Sequence, residues 1–144
     1  MPEPKTKKTT ASVQAFLKKA AKGDRYDACQ FLLETFEQAT NDKAAMWGPA
    51  IVGVGAETMT YANGDQRDWP IGGFSPRAQN IVLYGMQASP RHATLMKKIG
   101  KATMRGGCMY IKSLEGVDQQ VLAEMITTAM AAKVQRYPSK ARKK

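Results

Sequence analysis

The 144 residues, 43% apolar and 8% aromatic with a net charge of +10, have the make-up of one globular domain with a core that needs no disulfides. No apolar run approaches the roughly 20 residues that span a bilayer, and Cys29 and Cys108 have no CxxC partner. No apolar segment follows the lysines of MPEPKTKKTTAS, so a membrane protein, a disulfide scaffold and a secreted precursor are not expected. The charge is concentrated at the ends: Lys5, Lys7 and Lys8 against Glu3, then Lys133, Arg136, Lys140, Arg142, Lys143 and Lys144 with no acid, around a nearly neutral body. The expected organisation is a disordered basic tail over 1–11, one domain over 12–136, and a second basic tail over 137–144. Two reduced, buried thiols in a cytoplasmic chain follow as the expectation.

Val13, Phe16, Leu17 and Ala20 fall at i, i+3, i+4 and i+7, which predicts a short helix ending at Gly23. Asp24 then reads as the N-cap of a second helix carrying Cys29, Leu32, Leu33 and Phe36 on one stripe to about Ala39. The period changes at Trp47-Gly48-Pro49. Strands are predicted over Ala50–Val54, Thr58–Tyr61, Trp69–Phe74 and Ile81–Tyr84, punctuated by Asn63-Gly64 and by the Ser75-Pro76-Arg77 corner. Ile81–Tyr84 is apolar on both faces, as a central strand is. Ser89-Pro90 predicts a helix start and Gly100 its end. Gly106-Gly107 leads into a further strand, Cys108–Ile111, and Val117 with Leu122 predicts a hydrophobic staple opening a last helix that Pro138 ends. The sum is α+β: a mainly antiparallel sheet of about four to five strands packed against N- and C-terminal helices.

Catalytic signals are sparse. Gly53-Val54-Gly55 lacks the third glycine and the helix of a dinucleotide fingerprint. His92 is the only histidine, so a nucleophile–His–acid arrangement has one residue to run through, and the chain reads as a non-enzyme. The fuller constellation is aromatic and basic. Trp47, Tyr61, Trp69, Phe74, Tyr84 and Tyr110 fall in or beside predicted strands, with Ser75, Arg77 and Lys112 at their edges. Such a set forms either a stacking wall with anion-binding donors or the core between sheet and helices. Gly72 and Gly73 inside a strand mark a bulge or a close approach by a ligand, a ring or another backbone.

The pieces Met46-Trp47-Gly48, Asp68-Trp69-Pro70, Gly73-Phe74-Ser75-Pro76-Arg77, Leu83-Tyr84 and Cys108-Met109-Tyr110-Ile111-Lys112 occur in the order of a known family. Over about residues 13–132 the chain resembles the YdhG-like domain family, small bacterial proteins grouped as a domain of unknown function. The resemblance implies an α+β sandwich with an antiparallel sheet. Some relatives are described as frataxin-like intracellular iron chaperones, and iron binding of that type is associated with an acidic helix and strand edge. Here the first helices mix Lys18, Lys19, Lys22 and Arg25 with Asp24, Asp27, Glu34 and Glu37.

Three functions follow as expectations. The first is a non-enzymatic binding domain for a small anionic or aromatic ligand, or a protein partner, with no resident cofactor and with a homo-oligomer open. The second is iron or another metal carried through Glu34, Glu37, Asp65 and Asp68. The third is nucleic-acid association through the basic tails.

Overall fold

The computed structural model describes residues 9–60 and 62–136. Helices α1 (Val13–Ala20) and α2 (Asp24–Thr40) precede a run of six strands. These are β1 (Ala45–Trp47), β2 (Ile51–Val54), β3 (Glu57–Thr60), β4 (Gln66–Trp69), β5 (Gly72–Pro76) and β6 (Ile81–Tyr84). A 3-10 turn (Met86–Ala88), helix α3 (His92–Met96), strands β7 (Thr103–Arg105) and β8 (Cys108–Ile111), and helix α4 (Gln119–Arg136) complete the order. Six strands form one antiparallel sheet in the order β1-β2-β5-β6-β8-β7, and β3 pairs with β4 as a separate two-stranded arm. The α+β class agrees with expectation, and the strand count exceeds it. β1 and β7 are three residues each, too short to print an alternation. The predicted strand over Trp69–Phe74 is two strands, because Pro70 has no N–H to give the ladder.

Register explains why the sheet has a helix face and an outer face. One row of paired residues runs Met46, Val52, Phe74, Leu83, Met109, Met104 across all six strands. Every member belongs to the main core or packs against it. Helices α2 and α4 cover this row and pack on each other, with Phe36 of α2 stacked on Phe74 at 6.2 Å between ring centres. Leu122, Met125, Ile126, Ala129 and Met130 are the buried stripe of α4. Burial of this apolar surface is the main term holding sheet to helices.

Helix starts depart from expectation in detail. The N-cap of α2 is Gly23, with Asp24 and Asp27 in its first turn facing the positive end of the helix dipole. Ser89 does not open a helix directly: its hydroxyl accepts from the Arg91 amide at 3.1 Å, and α3 begins only at His92. Ahead of α4, the Asp118 carboxylate accepts from the Val121 amide at 3.1 Å, and Val117 and Leu122 are both buried as a staple requires. Thr9, expected within the tail, donates its amide to the Met46 carbonyl at 2.8 Å, so the chain is tied to β1 from there. Residues 1–8, Tyr61 and 137–144 lie outside the described residues.

The paired glycines resolve into two different contacts. A Cβ on Gly72 would meet the Met130 methyl at 2.4 Å, so Gly72 admits α4. A Cβ on Gly73 would meet the Val52 carbonyl oxygen at 2.1 Å, so Gly73 admits the β2 backbone.

Candidate functional site

The outer face of the sheet is built on the alternate row: Ala45, Gly53, Gly73, Tyr84, Cys108, Arg105. Its neighbour runs Ser75, Val82, Tyr110, Thr103. Neither row contains a carboxylate. The small residues at β1, β2 and β5 leave space that other side chains fill. A Cβ on Gly53 would meet Pro70 at 2.6 Å and the Trp47 ring at 2.7 Å, so Trp47 and Pro70 close that half of the face. On the β6-β8-β7 half, Tyr84 and Tyr110 are half-exposed and Thr103 and Arg105 are exposed.

Arg77 is delivered there by a tight turn. Its amide donates to the Asn80 carbonyl at 2.7 Å, joining β5 to β6. The Arg77 guanidinium donates to the Tyr84 hydroxyl at 3.0 Å. Because Tyr84 pairs with Gly73 and not with the turn, the arginine must run back along the face past Val82 to reach it. Burial pushes the Tyr84 phenol above its ordinary pKa; the charge and hydrogen bond of Arg77 pull it down, while Cys108 and Tyr110 add to the rise. The hydroxyl therefore accepts from Arg77 and keeps its own proton to donate.

One strand over, Arg105 places its guanidinium 4.8 Å from the centre of the Tyr110 ring, a cation–π contact. Beside this pair lies a groove of about 700 Å³ whose lining includes Asn80, Lys101, Thr103, Arg105, Tyr110 and Lys112. Three cations face one carboxylate, Glu115, in that lining.

The residues proposed from sequence divide sharply. Arg77 and Tyr84 are hydrogen-bonded to each other, and Tyr110 and Lys112 line the groove. Phe74 is fully buried on the helix face, because its strand parity points it at Phe36, and this corrects its assignment to a ligand wall. Ser75 is likewise buried, its hydroxyl donating to the Ala50 carbonyl at 2.7 Å. Trp47 is buried, its indole N–H without an acceptor among the described residues. Trp69 is half-buried on the β3–β4 arm, opposite Glu57, and Tyr61 lies outside the described residues.

The four carboxylates proposed for a metal are not gathered. Glu34 is exposed on α2, and Glu37 accepts from the Ala44 amide at 2.8 Å. Asp65 is engaged with Asn63 in the turn of the arm, and Asp68 lies on β4. Among the described residues no group of three or more His, Cys, Asp or Glu could hold a metal ion. His92 is half-buried, its Nδ1 donating to the Ser89 carbonyl at 3.0 Å. Cys29 is buried and its thiol is pushed up to about 11 by burial against the pull of Arg25. Cys108, expected to be buried too, is only half-buried, because it lies on the outer row.

Sequence reasoning missed Lys101, Thr103 and Arg105. The signal was Gly106-Gly107, a two-residue hairpin loop that calls for a strand on both sides. Arg105 pairs with Cys108 across it. No helix among the described residues is long and apolar enough to cross a membrane. No protein-family model, no curated protein and no solved structure matches the chain.

Proposed function

We propose that this chain is a non-enzymatic binding domain, a cytoplasmic bacterial protein of the YdhG-like kind, that takes an anionic ligand on the outer face of its sheet. The observation that carries the reading is the Arg77–Tyr84 hydrogen bond on a face whose two rows hold no carboxylate. A guanidinium held by a phenol is pre-aimed, so less side-chain freedom is lost on binding. Tyr84 adds a neutral donor next to that charge. The ligand class follows from these donors: an oxyanion such as phosphate or a carboxylate, which accepts from both. Binding and not turnover is proposed because the single histidine is committed to Ser89 and, among the described residues, no activated nucleophile adjoins Arg77.

The test is thermal stability of the full chain against inorganic phosphate, sulfate and citrate, with wild type beside Arg77→Met. Ligand that binds the folded state stabilises it by roughly 2.7 kcal/mol at a hundredfold excess over Kd. The expected result is an anion-dependent rise in wild type that is lost in Arg77→Met, each protein being compared with its own anion-free midpoint. No rise with any of the three anions, or the same rise in both proteins, overturns the reading.

A further inference from the structure

Beyond the Arg77–Tyr84 pair, which does not line it, the geometry points to a phosphorylated ligand carrying a planar ring, of the nucleotide class, seated in the groove between β8 and the loop before β7. The volume of about 700 Å³ suits a ligand of that size. Its cations are held in place. The aliphatic stem of Lys101 lies on the bare Cα of Gly116, where a Cβ would stand 2.6 Å from it. The Lys101 amide donates to the Gly116 carbonyl at 2.9 Å, and Gly100 bridges to Val117, so the loop carrying Lys101 is tied down at two points. Arg105 is held over Tyr110. Lys112, the first residue past the end of β8, lines the same groove as Tyr110.

Charge count selects phosphate. Lys101, Arg105 and Lys112 outnumber Glu115 by two, which matches a dianion better than a single carboxylate. Thr103 and Asn80 add neutral hydrogen-bonding groups to the same lining. The ring requirement comes from Arg105 and Tyr110 together: the guanidinium carbon stands 4.8 Å from the Tyr110 ring centre, both residues line the groove, and a heterocyclic base stacks on guanidinium planes and aromatic rings. A free mononucleotide and a single nucleic-acid strand share this chemistry, and the experiment separates them.

The experiment follows backbone amides of the full chain by NMR during titration with inorganic phosphate, ribose 5-phosphate, a purine mononucleotide and a short single-stranded oligonucleotide. Arg105→Lys, Lys112→Gln and Arg77→Met are run beside wild type. We expect the mononucleotide to shift amides over 100–105 and 110–113 and to bind about tenfold tighter than ribose 5-phosphate, the increment of one stacked base. Arg105→Lys keeps the charge without the plane, so it should erase that tenfold preference while phosphate still binds. Lys112→Gln should weaken all phosphorylated probes alike. An oligonucleotide binding well above the mononucleotide, with steep salt dependence, identifies the source as a strand; equal binding identifies a free nucleotide. Failure of every phosphorylated probe to shift 100–105 and 110–113 overturns the inference, as does equal affinity for ribose 5-phosphate and mononucleotide. Shifts confined to Arg77 and Tyr84 would overturn it and leave the outer-face reading standing. Shifts in the groove that Arg77→Met leaves untouched would uphold it and remove the part given to Arg77.

Discussion

Arg25, in the first turn of α2, donates its guanidinium to the main-chain carbonyl of Arg77, 52 residues away. The same guanidinium reaches the carbonyls of Ala78 and Asn80, each at 3.4 Å. One side chain thus grips three carbonyls of the turn that aims Arg77 at Tyr84. A helix on one face of the sheet sets the presentation of a cation on the other.

Arg25→Ala should therefore cost about 1 kcal/mol, the scale of a partly exposed charged hydrogen-bond set. Arg25→Lys should recover little of it, since an ammonium cannot fork across three carbonyls. Urea midpoints at constant m check this; an unchanged midpoint in Arg25→Ala would show the grip to be without energetic weight.

The two adjacent glycines should respond unequally. Gly73→Ala drives a methyl into the β2 main chain at Val52, which cannot retreat without breaking its ladder, and should cost about 2–4 kcal/mol. Gly72→Ala meets the end of the Met130 side chain, which can re-orient, and should cost less. Thermal unfolding of both variants orders them; Gly72→Ala as the more damaging would contradict the packing described.

Removing the charge at Arg77 should raise the Tyr84 phenol further, because Arg77 opposes the rise that burial causes. Ultraviolet titration of tyrosinate in wild type and Arg77→Met, with Tyr84→Phe to assign the signal, measures this. A lower or unmoved Tyr84 in Arg77→Met would mean that the pair is not formed in solution.

The thiols should differ in kind. Half-buried Cys108 should react with an aromatic disulfide reagent in the native protein, and Cys29 only on unfolding. Cys29 also bears on alkaline stability. In the unfolded chain it ionises near its ordinary 9.0, and in the folded chain near 11. Its contribution is therefore fully present below about pH 9 and is lost as pH rises toward about 11, a sense that the raised Tyr84 phenol shares. Cys29→Ala should flatten the fall in stability across that window, as denaturation at stepped pH would reveal.

Helices and central strands were legible in the residue pattern because their signals are local. The spacing of Leu32, Leu33 and Phe36, the doubly apolar Ile81–Tyr84 and the Val117–Leu122 staple each arise from geometry within one element. Local pattern could not say which aromatics face helices. Phe74 and Tyr84 differ only in strand parity, and parity depends on where each strand breaks. Pro70 moved that break.

What composition and periodicity carried unaided was the α+β class, the order of its main elements and a basic, aromatic set of residues. The split of that set was a tertiary decision. Phe74 went to the core, Trp47 and Ser75 were enclosed, and Arg77, Tyr84, Tyr110 and Lys112 were left on a surface beside Lys101 and Arg105. The physical reason is that a strand's facing is fixed by hydrogen-bond register with neighbours far along the chain. β8 lies between β6 and β7, and only that adjacency brings Tyr84, Arg105 and Tyr110 to one face.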